Sequence, residues 1–252
     1  MKKLIDKRIL VTRARKQAAD LCDALAAEGA QPVPFATIEI SPLEDFTRLD
    51  QAFAALAAGE YAWVIFTSVN GVTACQERLE QTGCTIQILS SARIAAIGPS
   101  TAGMLQSLMV DVDFVPGEYV AERILDGLGD VAQKRILLPR AEMARPALAE
   151  ALEQIGASVD EIPVYHTLQP PPDPAGLEAL RRGVDVITFT SSSTVRNFVS
   201  LAGAETGGAL VACIGPITAQ TARDMGLPVH IVASDYTIPG LVQALKDHFD
   251  AH

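Results

Sequence analysis

The chain reads as an α/β protein of two similar domains, each a parallel five-stranded sheet with helices on both faces. Three observations predict this. Short motifs recur in the same order: Phe66-Thr67-Ser68 then Ala96-Ile97-Gly98-Pro99-Ser100-Thr101, and Phe189-Thr190-Ser191 then Cys213-Ile214-Gly215-Pro216-Ile217-Thr218. Ile9-Leu10-Val11-Thr12-Arg13 matches Ile136-Leu137-Leu138-Pro139-Arg140 in the same way, each preceded by Arg and followed by a helical stretch that ends in Gly-Ala. A spacing of roughly 120 residues is too long for a solenoid and suits a duplicated α/β domain. Secondly, short apolar runs alternate with amphipathic stretches, the pattern of parallel α/β architecture. Thirdly, 49% of the 252 residues are apolar but only 5% are aromatic, so the cores are built from Ala, Val, Leu and Ile, as in sheets buried on both faces.

The short apolar runs predict strands at 8–12, 32–36, 63–67, 94–97, 112–115, 135–138, 159–162, 185–189, 211–214 and 229–232. Between them, helical patterns cover 17–27, 70–81, 100–109, 146–155, 193–201, 218–225 and 238–249. Gly29, Gly156 and Gly226 stand where a left-handed C-cap precedes the next strand. Two segments break the rhythm. Phe35 to Leu43 is extended and β-branched, and so is Val164 to Leu168, which runs into Gln169-Pro170-Pro171-Pro172. Proline-rich chain cannot continue a helix or a central strand and reads as linker. The two segments occupy equivalent places in the copies; if each is a crossover, the first domain is discontinuous. Composition and spacing alone favour two consecutive halves.

A net charge of −10 argues against general nucleic-acid or anionic-membrane binding, since both need basic surface. Local Arg residues and helix N-termini still allow an anionic ligand. Cys22, Cys75, Cys84 and Cys213 show no C-x-x-C spacing and read as small buried hydrophobes rather than a disulfide framework. The N-terminus lacks an apolar signal core, and no run approaches about 18 consecutive apolar residues. A cytoplasmic monomer is expected.

The Thr-Ser and Gly-Pro-x-Thr segments all fall between a predicted strand end and the next helix, the edge of a parallel sheet where ligands bind. Small hydroxyl residues there cap helices and leave N–H groups for anions; simple capping is the competing explanation. Arg13 and Arg140 hold matching positions after their strands, and Arg196 follows Thr190-Ser191. Guanidinium groups at such edges suit carboxylates or phosphates, although each alone also fits a solvated surface charge. Tyr165 lies in the second extended segment, where a phenol could donate a proton or simply pack at a junction. His166 is expected to point the other way, because side chains alternate along a strand. No G-x-G-x-x-G, G-x-x-x-x-G-K-[ST] or G-x-S-x-G occurs, and no His/Cys/carboxylate cluster suggests a metal. No cofactor is expected, so catalysis would rest on holding a reactive substrate in shape, with one proton donor at most.

Taken in order, Ile9-Leu10-Val11-Thr12-Arg13, Trp63-Val64-Ile65-Phe66-Thr67-Ser68, Ile136-Leu137-Leu138-Pro139-Arg140, Val164-Tyr165-His166-Thr167, Thr188-Phe189-Thr190-Ser191-Ser192-Ser193-Thr194-Val195 and Ile214-Gly215-Pro216-Ile217-Thr218-Ala219 resemble uroporphyrinogen-III synthase. The resemblance spans essentially the whole chain. It implies two flavodoxin-like domains joined by a two-stranded β-ladder, with the active site in the interdomain cleft. It also implies a discontinuous layout: 1–36 with 169–252 as one domain, 40–164 as the other, and 36–40 with 164–169 as the connecting ladder. The implied reaction is cyclisation of hydroxymethylbilane, a linear tetrapyrrole with eight carboxylates, to uroporphyrinogen III with inversion of ring D and loss of water. Uncatalysed closure gives the uninverted isomer I, so the enzyme's task is orientation, and no cofactor is needed.

By the same resemblance Tyr165 is the expected catalytic residue, assisting departure of the hydroxyl; a phenol is ordinarily protonated at neutral pH. Thr67, Ser68, Thr101, Thr190, Ser191, Ser192 and Thr218 are expected to bind acetate and propionate groups, with Arg13, Arg140 and Arg196 as carboxylate partners. Partners are the small-molecule substrate and a transient contact with hydroxymethylbilane synthase; neither nucleic acid nor membrane is expected. A non-catalytic bilobed binding module for an anionic small molecule, or an enzyme of phosphosugars, fits the duplicated architecture too.

Overall fold

A computed structural model describes residues 2–117 and 121–250. The chain divides into two compact units, Met1–Glu39 with Leu168–His252, and Ile40–Thr167. In chain order the strands and helices are β1 (Arg8–Val11), α1 (Ala18–Ala27), β2 (Gln31–Pro34), β3 (Glu39–Pro42), α2 (Thr47–Ala57), β4 (Trp63–Phe66), α3 (Val69–Gln81), β5 (Arg93–Ala96), α4 (Pro99–Ser107), β6 (Arg135–Ala141), α5 (Ala147–Gln154), β7 (Ser158–Leu168), α6 (Pro174–Arg181), β8 (Val186–Phe189), α7 (Ser192–Ala202), β9 (Leu210–Cys213), α8 (Pro216–Asp224), β10 (Ile231–Val232) and α9 (Ile238–Asp250).

In the first unit the sheet order is β10-β9-β8-β1-β2. Every pairing is parallel. The chain therefore starts at β1, steps to β2, and resumes on the other side of β1 at β8, which is the doubly wound order with its switch point between β1 and β8. The register there runs Ile9 to Val186, Leu10 to Ile187 and Val11 to Thr188. Ile9, Val11 and Val186 pack on one face with Leu21, Leu25 and Leu245. Leu10, Ile187 and Phe189 pack on the other with Val195 and Phe198. Consecutive residues thus feed two cores, which is why these strands read as unbroken apolar runs rather than alternating ones.

The second unit repeats the logic. Its sheet order is β3-β7-β6-β4-β5, with β6–β7, β6–β4 and β4–β5 parallel. Val64, Phe66 and Leu137 join one core, while Trp63, Ile65, Ile136 and Leu138 join the other. Here the switch point lies between β6 and β4.

Three sequence expectations change. Residues 112–115 form no strand: only an isolated parallel bridge joins Ala95 to Phe114. The fifth strand of this sheet is instead β3, hydrogen-bonded beside β7, drawn from the extended segment that followed β2. Two helices were absent from the predicted set. In α2, Leu49, Ala52, Phe53 and Leu56 are its buried residues, the i, i+3, i+4, i+7 spacing that marks a helix face. In α6, Asp173 caps the helix and Pro174 opens it, so the proline-rich run ends as a helix start. Gly29, Gly156 and Gly226 have φ of +91°, +87° and +81°, the left-handed turns expected of them.

Candidate active site

In both units, motif residues that the sequence singled out cap helices at the C-terminal edge of the sheet. Ser68 is the N-cap of α3 and its Oγ accepts from the Gly71 N–H. Ser191 is the N-cap of α7 and closes a full capping box with Thr194. Gly98 and Gly215 cap α4 and α8, each with Pro in the first turn. Their extended caps and free first-turn N–H groups leave a positive helix end at each loop. Thr101 and Thr218, in the first turns of α4 and α8, are buried, and Thr67, Ser68, Thr190, Ser191 and Ser192 are half-buried.

At the β1/β8 switch point the polar groups bond to one another. Thr12 Oγ1 donates to the Thr188 carbonyl at 2.7 Å, and Thr188 Oγ1 donates to the Leu10 carbonyl at 2.8 Å. Thr37 Oγ1 donates to the Thr12 carbonyl at 2.9 Å. The Ser191 and Ser193 hydroxyls lie 2.9 Å apart, and those of Ser192 and Thr221 2.7 Å apart. Arg13 follows directly, half-buried, and burial pulls its guanidinium below the ordinary arginine range. Arg196 projects from α7 and is exposed.

The β6/β4 switch point is organised differently. Tyr165, only 7% exposed, packs its ring into the core shared with Phe66 and Val72. Its hydroxyl lies 3.1 Å from Ser68 Oγ. Arg140 is buried and its guanidinium Nη1 sits 3.2 Å from Glu161 Oε1, while Nη2 donates to the Arg145 carbonyl. The Nε and Nη1 atoms make no hydrogen bond, since the Glu161 contact is an ion pair without hydrogen-bond alignment. Burial lowers the basicity of this guanidinium, against the attraction of Glu161 and Tyr165. A register shift between Arg140 and Ala141 sets Ala141 opposite Tyr165.

So the structure brings Ser68, Tyr165 and Arg140 together in one unit, and Arg13 and Arg196 belong to the other. His166 pairs with Glu142, Nδ1 to Oε2 at 2.8 Å. Sequence reading missed Glu161 and Gly71. A Cβ added at Gly71 would lie 3.1 Å from the Pro139 carbonyl oxygen, so any larger residue would push α3 and β6 apart by a few tenths of an ångström; a glycine three residues after a capping serine was the available signal. Among the described residues no group of three or more His, Cys, Asp or Glu could hold a metal ion, and no helix is long and apolar enough to cross a membrane.

Comparison with known proteins gives one consistent result. The family model described as uroporphyrinogen-III synthase HemD matches residues 6–243. A uroporphyrinogen-III synthase of Synechococcus elongatus is 35% identical over 96% of both chains. That of Chlorobaculum parvum is 26% identical over 96% of this chain and 98% of its own. Among solved structures, a uroporphyrinogen III synthase mutant from the extreme thermophile Thermus thermophilus superposes with a TM-score of 0.67 at 21% identity, covering 98% of this chain and all of that one. The Helicobacter pylori enzyme gives 0.62 at 18% identity, covering 96% and 99%. Both structures share the α/β fold with two largely parallel sheets.

Proposed function

The chain belongs to the uroporphyrinogen-III synthase family, and from that premise we propose how its residues divide the work of the reaction. The activity is that of a cyclising hydro-lyase: hydroxymethylbilane closes to uroporphyrinogen III with inversion of ring D and loss of water, a step of porphyrin biosynthesis.

Tyr165 is the proton donor. As the C–O bond of the hydroxymethyl group breaks, the phenol gives its proton to the leaving oxygen and water departs. The electrophilic azafulvene left behind is attacked at the substituted carbon of ring D, and rearrangement through a spiro intermediate follows. Final closure releases one proton from the terminal ring, which restores the phenol; the balance is the loss of one water. The observation that carries this assignment is the Tyr165 hydroxyl held 3.1 Å from the capping Ser68 at a sheet switch point.

The strand-end edge of each unit would bind substrate carboxylates, a reading supported by the pairing of these edges through duplication and by the eight carboxylates to be held. Thr67, Thr101, Thr190, Ser191, Ser192 and Thr218 would present helix N-termini to acetate and propionate groups. Arg13 and Arg196, without ion pairs among the described residues, would add charge. Arg140 acts through its field at Tyr165, because its Nε and Nη1 are buried. The chain crossings near 36–40 and 164–169 would form the hinge ladder. The same reading includes a cytoplasmic monomer that meets hydroxymethylbilane synthase transiently to receive an unstable substrate.

A Tyr165→Phe variant tests the assignment. With hydroxymethylbilane supplied, turnover is expected to fall about a hundredfold or more, the usual worth of a positioned proton donor, while the type III share of enzymatic product persists. Unchanged turnover would remove Tyr165 from the chemistry.

A further inference from the structure

Ser68 and Ser191 are the same residue in the two copies, an N-cap at the end of a strand beside the switch point, yet they are used differently. Ser191 is locked in a capping box: its Oγ accepts from the Thr194 N–H at 3.3 Å while Thr194 Oγ1 accepts from the Ser191 N–H at 3.3 Å. Its hydroxyl also pairs with Ser193 at 2.9 Å. In α3 the residue equivalent to Thr194 is Gly71, which has no side chain to complete the box. There the Ser68 Oγ accepts the Gly71 N–H at 3.2 Å, and its other contact among the described residues is the Tyr165 hydroxyl. The first copy has Pro34 where the second has Tyr165, aligned by the preceding Pro-Val pairs.

From this asymmetry we infer that Ser68 is a positioning residue for Tyr165, donating its proton to the phenol oxygen so that the phenol's own proton is free for the substrate. The inference rests on Tyr165 being the proton donor. A serine oxygen has one proton and two lone pairs. One lone pair takes the Gly71 N–H. If the phenol donated to the other, its proton would be spent inside the protein and the leaving hydroxyl would go unassisted. With the serine proton directed to Tyr165 Oη, the chain of donors runs from the α3 N-terminus through Gly71 N–H and Ser68 O–H to Tyr165 O–H and out. When the phenol gives up its proton, the Ser68 hydrogen bond becomes charge-assisted, and the helix end behind it strengthens the same polarisation. Ser68 thus lowers the energy of the phenolate without touching the substrate. Sequence reading grouped Ser68 with the carboxylate ligands; its hydrogen bonds separate it from them.

The test compares Ser68→Ala, Ser68→Gly, Ser68→Thr, Tyr165→Phe and the Ser68→Ala/Tyr165→Phe double variant, with kcat and KM measured on hydroxymethylbilane. Glycine caps a helix nearly as well as serine, so Ser68→Gly removes the hydroxyl and keeps the fold. Ser68→Ala and Ser68→Gly are expected to lower kcat by about 10- to 100-fold with KM within about twofold. Ser68→Thr should recover most of kcat, and adding Ser68→Ala to Tyr165→Phe should cost less than about twofold more, because two members of one relay are not additive. A KM rise at unchanged kcat, or a loss that multiplies that of Tyr165→Phe, would make Ser68 a direct substrate contact and overturn the inference. Full turnover of Tyr165→Phe would instead overturn the donor reading beneath it, and a slow Tyr165→Phe beside an unaffected Ser68→Gly would overturn this inference alone.

Discussion

Replacing Arg140 with Met should make the protein more stable and less active at once. The Arg140 side chain is 7% exposed. In its favour stand one ion pair at 3.2 Å to a carboxylate that is itself 37% exposed, and one hydrogen bond to the Arg145 carbonyl. Together these contribute about 2–4 kcal/mol. Against them stand the several kcal/mol of taking a charge out of water and two buried nitrogens without hydrogen bonds, each costing about 1–3 kcal/mol. The lowered basicity of the group points the same way: burial disfavours its charged form more than Glu161 favours it. An apolar chain of similar length should therefore stabilise the fold by about 1–3 kcal/mol. For a chain of this size that raises Tm by about 2–12 °C. Glu161 is open enough to water to tolerate losing its partner. Turnover should fall about tenfold, because the positive field beside the Tyr165 phenolate is gone. Thermal unfolding and steady-state rates on the same preparation settle it. A loss of about 2 kcal/mol or more would show that the guanidinium is well satisfied where it lies, and an unchanged rate would show that its charge does not serve Tyr165.

Phe198 meets Phe189 edge-on at 5.3 Å and Phe35 at 6.1 Å between ring centroids and is fully buried, so Phe198→Ala should cost about 3–5 kcal/mol, read from the urea midpoint at unchanged slope; a cost below about 1 kcal/mol would contradict this core. The four thiols should label unequally at pH 8.5. Cys84 is exposed and should react first, whereas burial pushes the Cys213 thiol up to about 12 and raises Cys75 as well, leaving almost no thiolate on either; mass spectrometry showing Cys75 or Cys213 alkylated as fast as Cys84 in the native protein would refute the packing.

Much of this fold was readable because parallel sheets buried on both faces leave an unambiguous trace. Trp63-Val64-Ile65-Phe66 and Val186-Ile187-Thr188-Phe189 send alternate side chains into two cores, so every position in the run must be apolar or self-satisfied, as Thr188 is. The run at 112–115 misled because Val112 and Phe114 do join the cores, but through a single bridge rather than a ladder. What β3 pairs with is a non-local property, and nothing in Glu39-Ile40-Ser41-Pro42 announces that it will sit beside β7. In the site, the duplicated caps were legible from Thr-Ser and Gly-Pro. The juxtaposition of Ser68 with Tyr165 was not, since it joins residues 97 positions apart and depends on the absence of a side chain at Gly71. Arg140 was visible as a charge at a strand end, but its burial and its contact with Glu161 are tertiary properties without a sequence marker.

This chain dictates which carbon of the terminal pyrrole is bonded. The direct measurement is to supply hydroxymethylbilane to the purified protein, oxidise the products and separate the type I and type III porphyrin isomers. Type III in excess, produced in proportion to protein added, is the expected result. Product consisting of type I alone, at the rate of spontaneous closure, would contradict it.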